Sequence, residues 1–350
     1  MASSTAARLG LALVTVGWVS GAAPASAQRM DLALSRLSYP ASSSPMETYC
    51  PDTSGTGAVA ACADDGEWRS LISEFTGALI PPMLTPARTR GPRSFYVGLD
   101  TSITGISANS TFWHRGTEGQ TAGADINRQV DGALAWTRVT VRKAFPFGFE
   151  LGTNIGYLVN TSYWALGVEI RWSILEGWLS HDWVVPDIAF RGAVQTLVGD
   201  QEFNATVATA DLSISNSIIL GDAFELTPIT GGQVAWTWSD SELVDLTPGT
   251  NAFATCMPSS ATPMGPGEPN CAGSGADYNN NAVFASIRTI RPRAFVGIQG
   301  RYEAFTLIGM FSGDLIPPTD IGSNHLNDVH GNPLRIDRQW RIDLGIGLSY

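Results

Sequence analysis

Residues 338–350 read RQWRIDLGIGLSY. Trp340, Ile342, Leu344, Ile346, Leu348 and Tyr350 occupy every second position, with Arg341, Asp343, Gly345, Gly347 and Ser349 between them. A strand turns successive side chains to opposite faces, so this alternation predicts one apolar face and one face of polar or small groups. Working back toward the N-terminus, the same two-residue period returns in segments of roughly strand length as far as Ser94.

A closing strand of this pattern that ends in an aromatic residue resembles the last strand of bacterial outer-membrane β-barrel families. Phe is usual at the final position there, and Tyr350 stands in its place. The resemblance implies an exported barrel, recognised by the barrel-assembly machinery through the strand that ends at Tyr350. By pattern it extends over residues 94–350. It speaks to architecture and membrane and not to any transported substrate.

Composition agrees. Hydrophobic residues make up 44% of the chain and charged residues only 15%, against about 25% charged in an average protein. The 11 Trp and 37 Gly are also numerous. A barrel with one strand face in lipid, and with Trp and Tyr at the interfaces, accounts for this combination. A soluble lipocalin-like barrel would turn its apolar positions inward instead. The net charge of −11 leaves no basic stripe to displace counterions from a nucleic acid, so nucleic acid is not an expected partner. The expected partners are outer-membrane lipid and lipopolysaccharide. Nothing in the sequence marks an oligomer interface.

The N-terminus reads as an export signal: Arg8, an apolar run over residues 9–19, and the small-residue site Ala25-Ser26-Ala27. Residues 1–27 are the expected signal peptide, cleaved near Ala27 so that the chain begins at Gln28 in the bacterial outer membrane. Residues 28–93 form a mostly irregular segment, periplasmic or plugging the barrel. In it Trp68, Leu71, Ile72, Phe75, Leu79 and Ile80 recur at helical spacing until Pro81 and Pro82 stop the pattern. Residues 94–350 are the barrel. Export also makes disulfides the natural reading of Cys50, Cys62, Cys256 and Cys271, with the local pairs Cys50–Cys62 and Cys256–Cys271 the obvious choice.

The expected fold is therefore all-β, a transmembrane antiparallel up-and-down barrel of about ten strands. The candidates are residues 94–106, 133–145, 148–160, 163–175, 186–199, 203–220, 223–239, 281–291, 293–313 and 338–350. Twelve is the alternative, because residues 293–313 exceed the roughly 9–11 needed to cross and could turn near Gly300. A two-residue hairpin at Thr161-Ser162 would pair Tyr157 with Leu166 and Gly152 with Arg171. Short turns near Pro146, Gly221-Asp222 and Arg291-Pro292 alternate with longer connections, which predicts a periplasmic end and an outer end.

The inner face gathers charge. Arg138, Arg142, Glu150, Glu169, Arg171, Arg191, Asp211, Arg301 and Glu303 are the candidate lumen or constriction residues. They suit either a polar constriction for solutes or a self-neutralising network that fills a narrow bore. The leading expectation is passive passage of small solutes or an envelope-structural role. A closed barrel with a binding or structural role for its surface loops is the second. The third is a barrel hydrolase that uses loop His114, His325 or His330 with Asp320, Asp328 or Asp337. No GxSxG or HExxH occurs. No metal, no cofactor and no enzymatic activity is expected.

Overall fold

Alternating β-branched and small residues bounded by Gly, Pro and Asn turns give ten long strands, and one face of every strand is apolar. In the computed structural model these strands close into a ring. The structure describes residues 28–40, 61–89, 91–120, 126–174, 186–220, 224–248, 281–320 and 336–350. The strands are β1 (Phe95–Gly105), β2 (Ala133–Ala144), β3 (Phe149–Leu158), β4 (Trp164–Ser173), β5 (Asp187–Val198), β6 (Phe203–Ser215), β7 (Phe224–Ser241), β8 (Ile287–Tyr302), β9 (Phe305–Asp314) and β10 (Trp340–Ser349). Each pairs antiparallel with the next, and β10 pairs with β1, so the ten-stranded ring has no free edge. The twelve-strand alternative is thereby excluded. Closure matters physically, because an open edge would leave unpaired N–H and C=O groups in an apolar surround.

The outer surface is apolar. Val97, Leu99, Val139, Leu151, Ile155, Leu166, Ile170, Val194, Val296, Leu307, Ile342, Leu344, Ile346 and Leu348 are all exposed there, and Val168 is 60% exposed. Aromatic side chains rim both ends of this band. At one rim Phe149 and Trp172 stack at 5.7 Å with Phe95, Phe145, Phe305 and Tyr350 exposed nearby; at the other Tyr157 meets Trp164 at 5.1 Å, and Trp238 and Trp340 are exposed. This is the surface of a barrel immersed in lipid with aromatic girdles at the two interfaces. Among the described residues no helix is long and apolar enough to cross a membrane, which says nothing of strands.

One end of the ring carries the short connections, the other the long ones; they are called the turn end and the loop end below. Two sequence expectations change here, and a third narrows to one placement. Arg291-Pro292 is not a turn: β8 runs straight through it, and the chain reverses at Glu303-Ala304, with Glu303 in the left-handed region at φ 52°. Pro292 fits because its carbonyl accepts from Leu315 N at 2.9 Å, just beyond the Arg293–Asp314 end of the β8–β9 pairing. The edge of Pro292 that lacks a donor thus faces the end of a ladder and not its middle.

The β3–β4 hairpin is the second change. Tyr157 pairs with Trp164 and Gly152 with Glu169, two residues away from the expected register. The turn is wider than two residues: Thr161 N donates to Leu158 O at 3.3 Å, and Asn160 sits at φ 62°. An even slip leaves every side chain on its expected face. It does change neighbours. Gly152 lies between Arg142 and Glu169, and a Cβ there would come within 2.6 Å of Glu169 Oε1.

The third expectation, on residues 28–93, left two placements open. The helix α1 (Asp65–Leu79) lies inside the ring, with every residue except Asp65 and Glu67 buried. Asp64 caps it by accepting from Glu67 N at 3.0 Å. It ends where Pro81 forces Ile80 into an extended conformation (φ −53°, ψ 128°). Its aromatic side chains pack into the loop end of the bore: Phe75 lies edge-on to Tyr163 at 5.8 Å and to Phe203 at 5.7 Å, and Trp68 lies 5.1 Å from Phe284. A second apolar cluster forms lower down, where Met83 and Leu84 meet Ile229, Phe295, Ile308 and Met310. Residues 65–87 therefore plug the bore, the second of the two expected placements.

Cys62 is buried and is not a free thiol. Cys50, Cys256 and Cys271 fall outside the described residues, and both expected pairings with them.

Arginine at position 168, in the middle of the lipid band, is expected to destabilise the folded barrel by about 2–4 kcal/mol. Arginine at Glu303, in the exposed turn, should cost far less. Denaturant unfolding of both variants in lipid vesicles checks this.

Candidate functional site

The bore is the site, and its chemistry begins with proline. Residues 80–87 read IPPMLTPA. Pro81, Pro82 and Pro86 bring no N–H, so the segment cannot join the wall as a strand. Its carbonyls still need donors once they are buried. The wall supplies them as guanidinium groups, each with five N–H donors.

Taken from the loop end downward, the contacts form a series. Arg291 on β8 donates to Ser73 O at 2.5 Å and to Ser73 Oγ at 2.9 Å, while its other arm holds Asp314 at 2.8 Å. Gln339 Nε2 donates to Glu74 O at 3.0 Å. Arg341 Nη1 donates to Ile80 O at 2.5 Å, and its Nε faces Asp343. Arg191 Nη1 donates to Pro82 O at 2.6 Å and Nη2 to Pro81 O at 3.3 Å; its remaining contacts are Asp211 at 2.6 Å and Glu169 at 2.9 Å. Gln233 Nε2 adds a second donor to Pro81 O at 3.2 Å. Arg142 pairs with Glu169 and donates to Leu84 O at 3.5 Å. Arg171 pairs with Glu150 and donates to Pro86 O. Ser215 Oγ takes the last donor, Ala87 N, at 2.9 Å. Each of Arg142, Arg171, Arg191, Arg291 and Arg341 therefore bridges a wall carboxylate to the main chain of the plug.

The sequence candidates divide accordingly. Arg138, Arg142, Glu150, Arg171, Arg191 and Asp211 are buried in the bore, with Glu169 half-buried among them. Arg138 donates to Ser102 Oγ at 2.6 Å and lies 5.7 Å from the Trp136 ring. Arg301 faces the turn-end mouth, paired with Glu225 at 2.5 Å and partly exposed. Glu303 is not a lumen residue, because it occupies the exposed reversal between β8 and β9. Arg291, Arg293 and Asp314 were missed. Their alternation with Thr289 and Phe295 was present in the sequence, but reading Pro292 as a turn broke it.

Above the plug, residues 28–40 cross the loop end. Met30 N donates to Asn160 O at 3.0 Å, Leu32 N to Tyr163 Oη at 2.8 Å and Leu34 N to Glu202 Oε2 at 3.3 Å. Asp31 accepts from Ser162 N at 2.6 Å, Arg29 pairs with Asp131 at 2.5 Å and Arg36 with Glu118 at 2.5 Å. Burial pushes the carboxyls of Asp200 and Glu202 up, and Asp200 in turn raises Glu202 further. Burial also raises the Tyr163 hydroxyl, which bonds to Asp200.

His114 Nδ1 meets a main-chain oxygen, Asn127 O, at 2.6 Å. His325, His330 and Asp328 lie outside the described residues. Among the described residues no group of His, Cys, Asp and Glu is arranged to hold a metal ion. A cleft of about 790 Å³ opens at the loop-end rim between Gly105, Pro317, Asp337 and Trp340, and one of about 480 Å³ at the turn end beside Arg88, Glu225 and Arg301. The plug lies between these levels.

The chain matches no protein-family model, and no curated protein matches it. Among solved structures it is similar to Neisserial surface protein A, with 8% identity and a TM-score of 0.26 over 73% of this chain and 97% of that one. Ail, the attachment invasion locus protein of Yersinia pestis, is similar over 74% of this chain and 100% of its own, with 10% identity and a TM-score of 0.24. The N-terminal β-barrel domain of Pseudomonas aeruginosa OprF covers 75% of this chain and 100% of its own, at 8% identity and a TM-score of 0.24. Likenesses this distant carry no argument. The closed ring and its apolar belt rest on the strands themselves.

Because the folded carboxyls of Asp200 and Glu202 sit above their ordinary values of 3.8 and 4.5, the folded cap holds protons more tightly than the unfolded chain. Its stability is greatest below those ordinary values and falls as pH rises through the raised ones. Limited proteolysis of residues 28–40 should therefore speed up as pH rises above those ordinary values. The Asp200→Asn, Glu202→Gln double variant should flatten that dependence.

Proposed function

We propose that this chain is an outer-membrane β-barrel shut by its own N-terminal segment, and that its working face is the loop end, a binding or structural surface at the cell exterior. The observation that carries this reading is the series of wall arginines bound to main-chain carbonyls from Ser73 to Pro86. An aqueous pore lined by charge needs those side chains turned to water. Here five of them, Arg142, Arg171, Arg191, Arg291 and Arg341, are held between wall carboxylates and the plug.

Passage of small solutes would require residues 73–87 to leave the wall, stranding several buried guanidinium–carboxylate pairs without the carbonyls that complete them. Each buried donor left without its acceptor costs about 1–3 kcal/mol, and several are lost together, so spontaneous opening would be rare. In this reading residues 1–27 direct export and are then removed. Lipid and lipopolysaccharide surround the belt, and β10 engages the assembly machinery. The reading includes no catalysis: the described histidine, His114, faces a carbonyl and not a carboxylate that could orient it as a base.

Planar-bilayer recording tests it. Wild-type protein is expected to give no conductance steps above baseline, and the Arg171→Ala, Arg191→Ala double variant flickering openings as the plug loosens. Regular steps of defined size from wild-type protein would overturn the closed reading and restore the channel.

A further inference from the structure

An ordinary up-and-down barrel with an even strand number has both chain ends on one side. Here Gln28 and Tyr350 lie at opposite ends of the ring. At the turn end, Phe95 N donates to Tyr350 O at 2.8 Å and Ala144 N to Ser94 O at 3.1 Å, so the first strand begins beside the end of the last. From there the chain runs backward up the bore through the contacts of Pro86, Leu84, Pro82, Ile80 and Ser73. Residues 28–36 emerge at the loop end, bonded to Asp131, Asn160, Ser162, Tyr163 and Glu202 from three different connections. The polypeptide is threaded through its own barrel.

The threaded end has a distinctive terminus. Gln28 N donates to Asp31 Oδ2 at 2.7 Å. The other oxygen of the same carboxylate accepts from Ser162 N at 2.6 Å and Ser162 Oγ at 3.1 Å. Asp31 is 7% exposed. A carboxylate this buried calls for a cationic partner, and Arg29, next in the chain, is already bound to Asp131.

We propose that processing between Ala27 and Gln28 leaves the new N-terminus on the outer face of the membrane, where its α-ammonium is received by Asp31 and pins the threaded segment in place. Hydrolysis of the Ala27–Gln28 amide consumes one water, leaves the carboxylate on Ala27, and frees an amine on Gln28 that takes up a proton. The charge that completes the Asp31 pair thus exists only after processing. The Ser162 bonds then transmit the hold to the β3–β4 hairpin, so the arm is fastened to the wall and not merely laid over it. This rests on the export and outer-membrane reading above, and it adds the side on which the N-terminus lies and what holds it there.

Cysteine labelling on intact cells with a membrane-impermeant maleimide tests the threading. Ser35→Cys, in the arm, is expected to label on intact cells. Glu303→Cys, in the turn-end reversal, should label only after the outer membrane is opened. If Ser35→Cys also required opening, or if Glu303→Cys alone labelled on intact cells, the threading to the outer face would be overturned while the barrel stood. Absence of the protein from the outer-membrane fraction would sink this inference and the location together.

Reductive methylation of the α-amine in the purified full-length protein at about pH 7 tests the pin. Losing an adjacent opposite charge lowers an amine's pKa by about 1–3 units, so Asp31→Asn should methylate roughly tenfold faster than wild type. Glu303→Gln, in the turn-end reversal away from Asp31, should stay near the wild-type rate. Equal rates for wild type and Asp31→Asn, or an intact mass showing that the chain starts elsewhere or carries a blocked N-terminus, would overturn the role of Asp31.

Discussion

Everything inside this barrel depends on a shortage of hydrogen-bond donors. A segment with prolines at 81, 82 and 86 can lie extended along a bore, but it cannot satisfy its own carbonyls. Buried main-chain oxygens without partners are costly. The wall meets the shortage with long side chains that carry donors and no acceptors, and arginine is the side chain with the most donors to offer. A lysine wall would bring point charges on flexible stems and would lack the planar fork that reaches two acceptors at once.

The same constraint explains the acids. A guanidinium in the bore needs a counter-charge, and each bridging arginine has one on its own strand, on a neighbouring strand or, for Arg142, one strand further: Asp343 for Arg341, Asp211 and Glu169 for Arg191, Glu169 for Arg142, Glu150 for Arg171, Asp314 for Arg291. The carboxylates hold the arginines at the wall, and the free N–H groups point inward to the plug. Gly152 belongs to this design. Without a side chain on β3, Arg142 and Glu169 close across it from β2 and β4. Barrel size sets the need. About eight strands are filled by side chains alone, whereas ten leave room that a helix, two apolar clusters and an extended chain can occupy.

How much of this was legible in the sequence follows from what period two can and cannot encode. Ile346 and Arg341 are sorted by parity, so the faces of β10 and of most other strands could be read directly. Parity is blind to a slip of two, which is why the β3–β4 hairpin kept its faces but not its partners. Pro292 carries a strong turn signal, and only the end of the β9 ladder beside it makes a strand interior acceptable there. The spacing of Trp68, Leu71, Ile72 and Phe75 announced a helix. Its surroundings were illegible, since Arg69, Ser70, Ser73 and Glu74 on its other faces read as solvent-facing and are buried against the wall. An inward arginine also looks the same whether it meets water or a carbonyl, so the bore could be read as polar but not as occupied.

The closing strand joins these threads. β10 forms the last pairing of the ring, with β1, and the same stretch of chain reaches the plug at two levels: Gln339 at Glu74 and Arg341 at Ile80. Gln339 also donates to Gly105 O at the end of β1. A single run of residues therefore contacts the first strand, the helix and the extended segment. Closure of the ring and seating of the plug thus draw on the same few residues, on the strand whose alternation first revealed the fold.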